Sequence, residues 1–261
     1  STKIGSILTY DRAVDPDINN AIKEKIKTLV AQKNALLNLE QPSVMADTIT
    51  ADGKYIWRQA SKNDDEYEMY KLCEKLEIHE IPKYYETREG LDRLDYISGS
   101  VLRHCGNANY NQVASLVSWL KKYQDKLGDA LGGKVYVHGA LDNDAVLFEN
   151  DEIKGIVNWQ YCGVGEKYED FVDILINWLD IGSSMRKNDV IYSTIVKLLN
   201  EYGATEEMRN NLPSLMKEEL ERRIHSLDKE AWNYEYWYEY YRHAQTFLEL
   251  YGERIKKEAR N

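Results

Sequence analysis

The apolar positions keep a helical rhythm early in the chain. Ile18, Ile22, Ile26, Leu29 and Val30 fall on one face, behind Asp15 as a candidate N-cap and Pro16 at the first helical position. The rhythm then shortens. In SVMADTITADGKYIWRQ two strand-like runs flank Asp52-Gly53, which predicts a β-hairpin. Asn63 or Asp64 caps the next predicted helix, whose apolar face is Met69, Leu72, Cys73 and Leu76, and Pro82 closes that unit. LDRLDYISGS gives a further strand and a glycine hinge at Gly99. Beyond it Val113, Leu116, Val117, Leu120 and Leu127 mark a long amphipathic helix. Residues 135–159, VYVHGALDNDAVLFENDEIKGIVNW, read as an apolar strand ending in His-Gly, a short polar loop, a hairpin, and an apolar strand ending before Trp159. From Tyr168 onward the pattern is helical, over 168–180, 188–202, 206–226 and 229–258, with Gly, Asn or Pro breaks. No internal repeat is present. The pattern predicts an α+β chain, with an N-terminal lobe over 1–98 (a helix plus a small antiparallel sheet) and a helical C-terminal lobe over 99–261.

Composition narrows the class. With 261 residues, 43% apolar and 30% charged, the chain has the material for a core, and four prolines and 15 glycines leave little room for low-complexity sequence. No apolar run reaches the roughly 20 residues of a membrane span. The opening STKIGSILTYDRAV lacks the basic and long apolar regions of a signal peptide, so no membrane association is expected. Cys73, Cys105 and Cys162 are too scattered for a disulfide framework or a CxxC metal pair, and a reducing cytoplasm is the expected location. The net charge of −10 argues against a nucleic-acid partner and favours cationic ligands. Its plainer meaning is solubility.

The chemistry concentrates in residues 135–171. His138, Gly139, Leu141, Val146, Leu147, Phe148 and Trp159, followed by Gly163-x-Gly165, resemble the catalytic segment of the aminoglycoside phosphotransferase and choline kinase group of the protein-kinase-like fold. That segment reads roughly HGDLHxGNVLF, then a hairpin, then (V/I)IDW. The resemblance extends over most of residues 50–180 and implies a two-lobed kinase-like fold. It places Ala140 where the group has its catalytic Asp, Ala145 at the metal-binding Asn, and Asn158 at the metal-binding Asp. It places Arg58 at the phosphate-contacting cation and Glu66 on the helix that supplies its ion-pair partner. Adenine would pair with the backbone near Asp95 to Ile97. His138 is implied to pack beneath the loop, and Asp170 to hold the loop backbone.

These departures set the functional expectation. Phosphoryl transfer needs an oriented, deprotonated hydroxyl and metal ions on the phosphates. Ala140 supplies no base, a group worth ~10²–10⁴-fold in rate. Ala145 supplies no metal ligand and Asn158 only a neutral carbonyl, where Mg²⁺ favours carboxylates. Asp142 and Asp144 lie in the same loop as possible substitutes, but a displacement of ~1 Å already damages catalysis. Their plainer role is turn formation.

The tail WNYEYWYEYYRHAQTFLELYGERIKK adds Trp232, Tyr236, Trp237 and Tyr240 among glutamates. On a helix Trp232, Tyr236, Tyr240 and His243 share a face, which is either core packing or a ligand or partner surface offering π-faces and counter-charge. His79, His104, His225 and His243 show no metal-ligand spacing, and no metal site is expected. The leading expectation is a catalytically impaired, pseudokinase-like protein that binds a small cationic ligand or a protein partner. No cofactor is required, ATP is compatible with Arg58 and the hinge, and Mg²⁺ is not. The alternatives are an active ATP-dependent phosphotransferase with rearranged catalytic residues, an inactivated variant of one, and a structural protein that uses the fold's surface.

Overall fold

The computed structural model describes residues 21–29 and 46–258. Asp15, Pro16, Ile18 and Val30 lie outside the described residues. Residues 21–29 are helical, in keeping with the spacing of Ile22, Ile26 and Leu29, and belong to a unit ending at Met45.

From Ala46 the chain forms a second compact unit. Strands β1 (Thr48–Ile49) and β2 (Tyr55–Gln59) pair antiparallel across the Asp52-Gly53 turn. Helix α1 (Asp64–Lys75) starts at Asn63, whose side chain accepts from the Asp65 N–H. The Asn63 amide also donates to the Cys162 carbonyl at 2.7 Å, which ties the head of α1 to the segment after Trp159. Met69 and Cys73 are buried as predicted, with Leu72 and Leu76 packed at the edge. Strands β3 (Tyr84–Arg88) and β4 (Leu91–Asp95) complete a sheet of order β1-β2-β4-β3.

Helix α2 (Tyr110–Ala130) opens with a capping box between Asn109 and Gln112 and buries all five predicted apolar positions. Strand β5 (Val135–Val137) carries the chain into the polar loop, and β6 (Val146–Glu149) and β7 (Glu152–Ile156) form the expected hairpin. A strand not foreseen, β8 (Gly163–Gly165), pairs with β5. Ser100 makes an isolated antiparallel bridge with Phe148. Then come α3 (Tyr168–Trp178), α4 (Asn188–Tyr202), α5 (Glu206–Ser226) and α6 (Tyr234–Lys257).

The last helix corrects the sequence reading. It begins at Tyr234 rather than 229, because the Asp228 carboxylate accepts from the Glu230 N–H at 3.0 Å and its carbonyl from the Ala231 N–H at 3.1 Å. That turn competes with helix. Trp232 therefore lies outside α6, 95% exposed, and shares no helical face with Tyr236 and Tyr240. The core sits around α2 and α3, with Tyr123, Trp159, Phe171 and Trp178 buried among their neighbours. Among the described residues no helix is long and apolar enough to cross a membrane.

Candidate functional site

Strand β5 delivers His138-Gly139 to the head of α3. The Asp170 carboxylate, in the first turn of α3, accepts from the His138 N–H at 2.8 and 3.1 Å and from the Gly139 N–H at 3.3 Å. Gly139 has φ +77°, and a Cβ there would lie 2.6 Å from the Tyr161 carbonyl oxygen, so only glycine fits. Burial pushes the Asp170 carboxyl up to about 7, against the pull of its backbone donors. The His138 ring lies on Trp159, with centroids 4.6 Å apart, and its Nε2 is 2.7 Å from the Val157 carbonyl oxygen. Nε2 therefore carries the hydrogen, and Nδ1 accepts from the Ala140 N–H at 3.3 Å. Burial pushes the imidazole down to about 4, so it stays neutral. His138 and Asp170 together brace the loop.

Ala140, Ala145 and Asn158, the positions where the resemblance expects catalytic and metal-binding residues, all lie on this frame. Ala140 stands at the edge of a cavity, and its carbonyl accepts from the Asp142 N–H at 2.9 Å. Ala145 is 1% exposed; its N–H donates to the Asp142 carbonyl at 3.1 Å and its carbonyl accepts from the Val157 N–H at 2.9 Å. Asn158 is in the left-handed region (φ 64°, ψ 50°), a conformation Asn tolerates, and its amide donates to the Asp144 carbonyl at 3.1 Å. Asp142 faces the cavity, and Asp144 is exposed beside it. Burial raises the Asp142 carboxyl above the ordinary range, Asp144 adds to the rise, and Arg223 opposes it.

The structure brings Arg58 and Glu66 together as an ion pair, with Glu66 fully buried. Arg58 is therefore no exposed edge residue. Tyr70 Oη donates to the same Glu66 carboxylate at 2.8 Å, while Arg58 Nε and Glu66 Oε2 are buried without a hydrogen-bond partner. In the stretch expected to be the hinge, the Asp95 N–H donates to the Lys83 carbonyl at 3.0 Å and the Tyr96 N–H to the Lys54 carbonyl at 2.8 Å. The Asp95 carboxylate accepts from Tyr85 Oη at 2.8 Å. The Ile97 side chain lies against Gly155 of β7, where a Cβ would come within 2.7 Å of it.

The cavity beside Ala140 measures about 650 Å³. Tyr236, Trp237, Tyr240 and Tyr241 of α6 form one wall, with Trp237 stacked on Tyr241 at 5.9 Å and edge-on to Tyr240 at 5.5 Å. These rings are half-buried or exposed, so the head of α6 is not core; its buried residues are Ala244, Phe247, Leu248, Gly252 and Ile255. Asp173 and Asn177, one turn apart on α3, and Asp180, in the left-handed turn just past its end (φ 54°), form another wall. Arg223 pairs with Asp173 and with Glu219 (2.7 Å) and donates to Asn177 Oδ1 at 2.6 Å. Asp180 accepts from Tyr240 Oη at 2.9 Å and lies 3.8 Å from Arg186. Among the described residues, the Asp142 carboxylate has only an amide as its side-chain partner, Asn177 Nδ2 at 3.3 Å. Asn177, Asp180 and Arg223 were missed in the sequence. Asn177 showed as a polar position on the mostly apolar α3, but Asp180, in the turn past its end, and Arg223, among the many charges of α5, gave no such signal.

No family model matches the chain, and no curated protein matches it significantly in sequence. Solved structures do match in shape. An aminoglycoside phosphotransferase from Alicyclobacillus acidocaldarius superposes with a TM-score of 0.59 and 9% identity, covering 84% of this chain and 93% of its own. The fold is that of the aminoglycoside phosphotransferases. Two others align at lower scores: the streptomycin–ATP ternary complex of APH(2")-IIa (TM-score 0.48, 12% identity, 92% of this chain and 97% of that one) and a choline kinase from Streptococcus pneumoniae (0.41, 12%, 87% and 100%). At those scores they add nothing to the assignment. The kinase-like fold expected from residues 135–171 is present.

Proposed function

We propose that this chain is a kinase-fold binding protein, which holds a small cationic ligand in the α6-walled cavity and does not transfer phosphate to it. One juxtaposition carries the reading. The cavity is open and lined by aromatic rings, by Arg222 and Arg223, and by three carboxylates. Of these, Asp173 and Asp180 are paired with Arg223 and Arg186, and Asp142 makes no ion pair among the described residues. The loop residue at the cavity's edge, Ala140, presents a methyl group. A cation over such rings gains ~0.5–2 kcal/mol, and Asp142 supplies counter-charge. The donor set at Ala145 and Asn158 does not fit Mg²⁺, since the first side chain has no ligand atom and the second, whose nitrogen donates to the Asp144 carbonyl, offers only a neutral carbonyl oxygen where Mg²⁺ favours carboxylates. ATP without metal is compatible with the orphaned Arg58 Nε, but the hinge N–H groups of Asp95 and Tyr96 are taken internally. In this reading the lobes divide at Gly99, and the three free thiols go with a cytoplasmic location. Choline titrated by calorimetry should bind the parent and bind Trp237→Ala several-fold more weakly, with no ADP formed from Mg·ATP.

A second reading draws on Asp142. It lies in the cavity two residues past Ala140, where burial and the neighbouring Asp144 raise its carboxyl, and a carboxylate so placed is a candidate general base. In that case the protein is a rearranged phosphotransferase. Mg²⁺-dependent ADP release that disappears in Asp142→Asn would establish this reading over the first.

A further inference from the structure

The cavity beside Ala140 is the first of three that adjoin one another along α5. It shares Gly139, Asp173 and Arg222 with a second cavity of about 570 Å³ at the head of α3. The second shares Tyr168, Leu215 and Glu218 with a third of about 630 Å³ that reaches Tyr202 and Met208. The α5 residues lining this run, Met208, Asn211, Leu215, Glu218 and Arg222, recur at intervals of three and four and so form one stripe of the helix. The buried residues Leu212, Met216 and Leu220 form a different stripe, and Pro213 lies against Gly252 of α6. One side of α5 is thus committed to the protein and another to an open groove.

Length and chemistry select the occupant. From Met208 to Arg222 the groove runs roughly 21 Å at ~1.5 Å per residue. That is longer than a simple cation and matches about six residues of extended peptide at ~3.3 Å each. One end is apolar, at Tyr168, Tyr202, Met208 and Leu215, and the lysines on its rim, Lys121 and Lys167, both face Asp125 at 2.6 and 3.9 Å. The middle carries Glu169, Asp173, Glu218 and Glu219; Arg222 is held by Glu219 at 2.6 and 2.8 Å and Arg223 pairs with Asp173 and Glu219, which leaves Glu169 and Glu218 as its net acidic charge. The far end is the aromatic wall of α6. We infer that this groove docks an extended segment of a protein partner that carries an apolar residue at one end and two or more Lys or Arg residues after it. The inference goes beyond the small-cation reading and does not require it.

Panning a random-peptide display library against the full chain is the test. Enriched peptides should share an apolar residue followed by basic ones. A labelled synthetic copy of the most enriched peptide, followed by fluorescence anisotropy, should lose affinity on the order of tenfold or more in Glu218→Arg, because a like charge then faces its basic residues. Glu218 is exposed, so an unchanged melting temperature will show that the fold stands. Enrichment without basic residues, no enrichment, or equal affinity in Glu218→Arg overturns the inference. So does spermine binding as tightly as the peptide, since the groove would then be a small-molecule site. Choline binding without peptide binding removes this inference alone, and peptide binding without choline binding removes the small-cation reading alone.

Discussion

At the start of the loop the His138 amide lies 2.8 Å from an Asp170 carboxylate oxygen, and the two side chains titrate in opposite senses. His138, held down at about 4, stays neutral while the unfolded chain takes up a proton near its ordinary 6.5. Its contribution is therefore lost as pH falls from 6.5 to about 4. Asp170, held up at about 7, keeps a proton that the unfolded chain gives up near 3.9. Its contribution is lost as pH rises from about 4 to about 7. Between about 4 and 6.5 the two slopes, each near 1.4 kcal/mol per pH unit at full effect, oppose one another. His138→Gln removes one titration while leaving an amide donor near the Val157 carbonyl. Relative to the parent, its stability from urea melts should fall with rising pH across that window by on the order of 1 kcal/mol per unit. Parallel profiles for parent and variant would show that the pair does not compensate.

Among the elements, the connection from α3 to α4 sets where α6 can sit. A Cβ on Gly182 would lie 2.3 Å from the Tyr240 carbonyl oxygen and 2.4 Å from its ring. Backbone cannot yield there, so Gly182→Ala must push α6 away and should cost ~1–3 kcal/mol. The same shift separates Tyr240 from Asp180, so choline binding should weaken together with the melting temperature. A variant that melts and binds like the parent would contradict this placement. How far such elements could be read from sequence depended on what they bury. The faces of α1 and α2 were legible because Met69, Cys73, Leu116 and Leu120 meet the core at helical spacing. Strand β3 was not, since YYETR is half-buried or exposed throughout, and β8 offers only one side chain between two glycines. Trp232 was misplaced because an Asp228 side chain, rather than periodicity, decides where α6 begins. His138, Gly139 and Asp170 were legible from motif. The cavity was not, because contacts such as Tyr240 to Asp180 join residues far apart in sequence.

For the molecule as a whole, the net charge of −10 acts at a distance that solvent controls. The screening length shrinks from ~30 Å at 0.01 M salt to ~8 Å at 0.15 M. Choline affinity should therefore fall several-fold over that range, while a neutral isostere such as 3,3-dimethylbutanol should hardly respond. Equal salt dependence for the two would mean that the field plays no part in capture. A different consequence follows from the bridge between Ser100 and Phe148, whose two main-chain hydrogen bonds are 2.9 Å each. The stretch leading from the sheet to the helices is stitched to β6 just past Gly99. Any parting there breaks both bonds together, so the opening of this connection is metered by a rate. The amide protons of Ser100 and Phe148 keep that time, each exchanging with solvent only as often as the stitch comes undone.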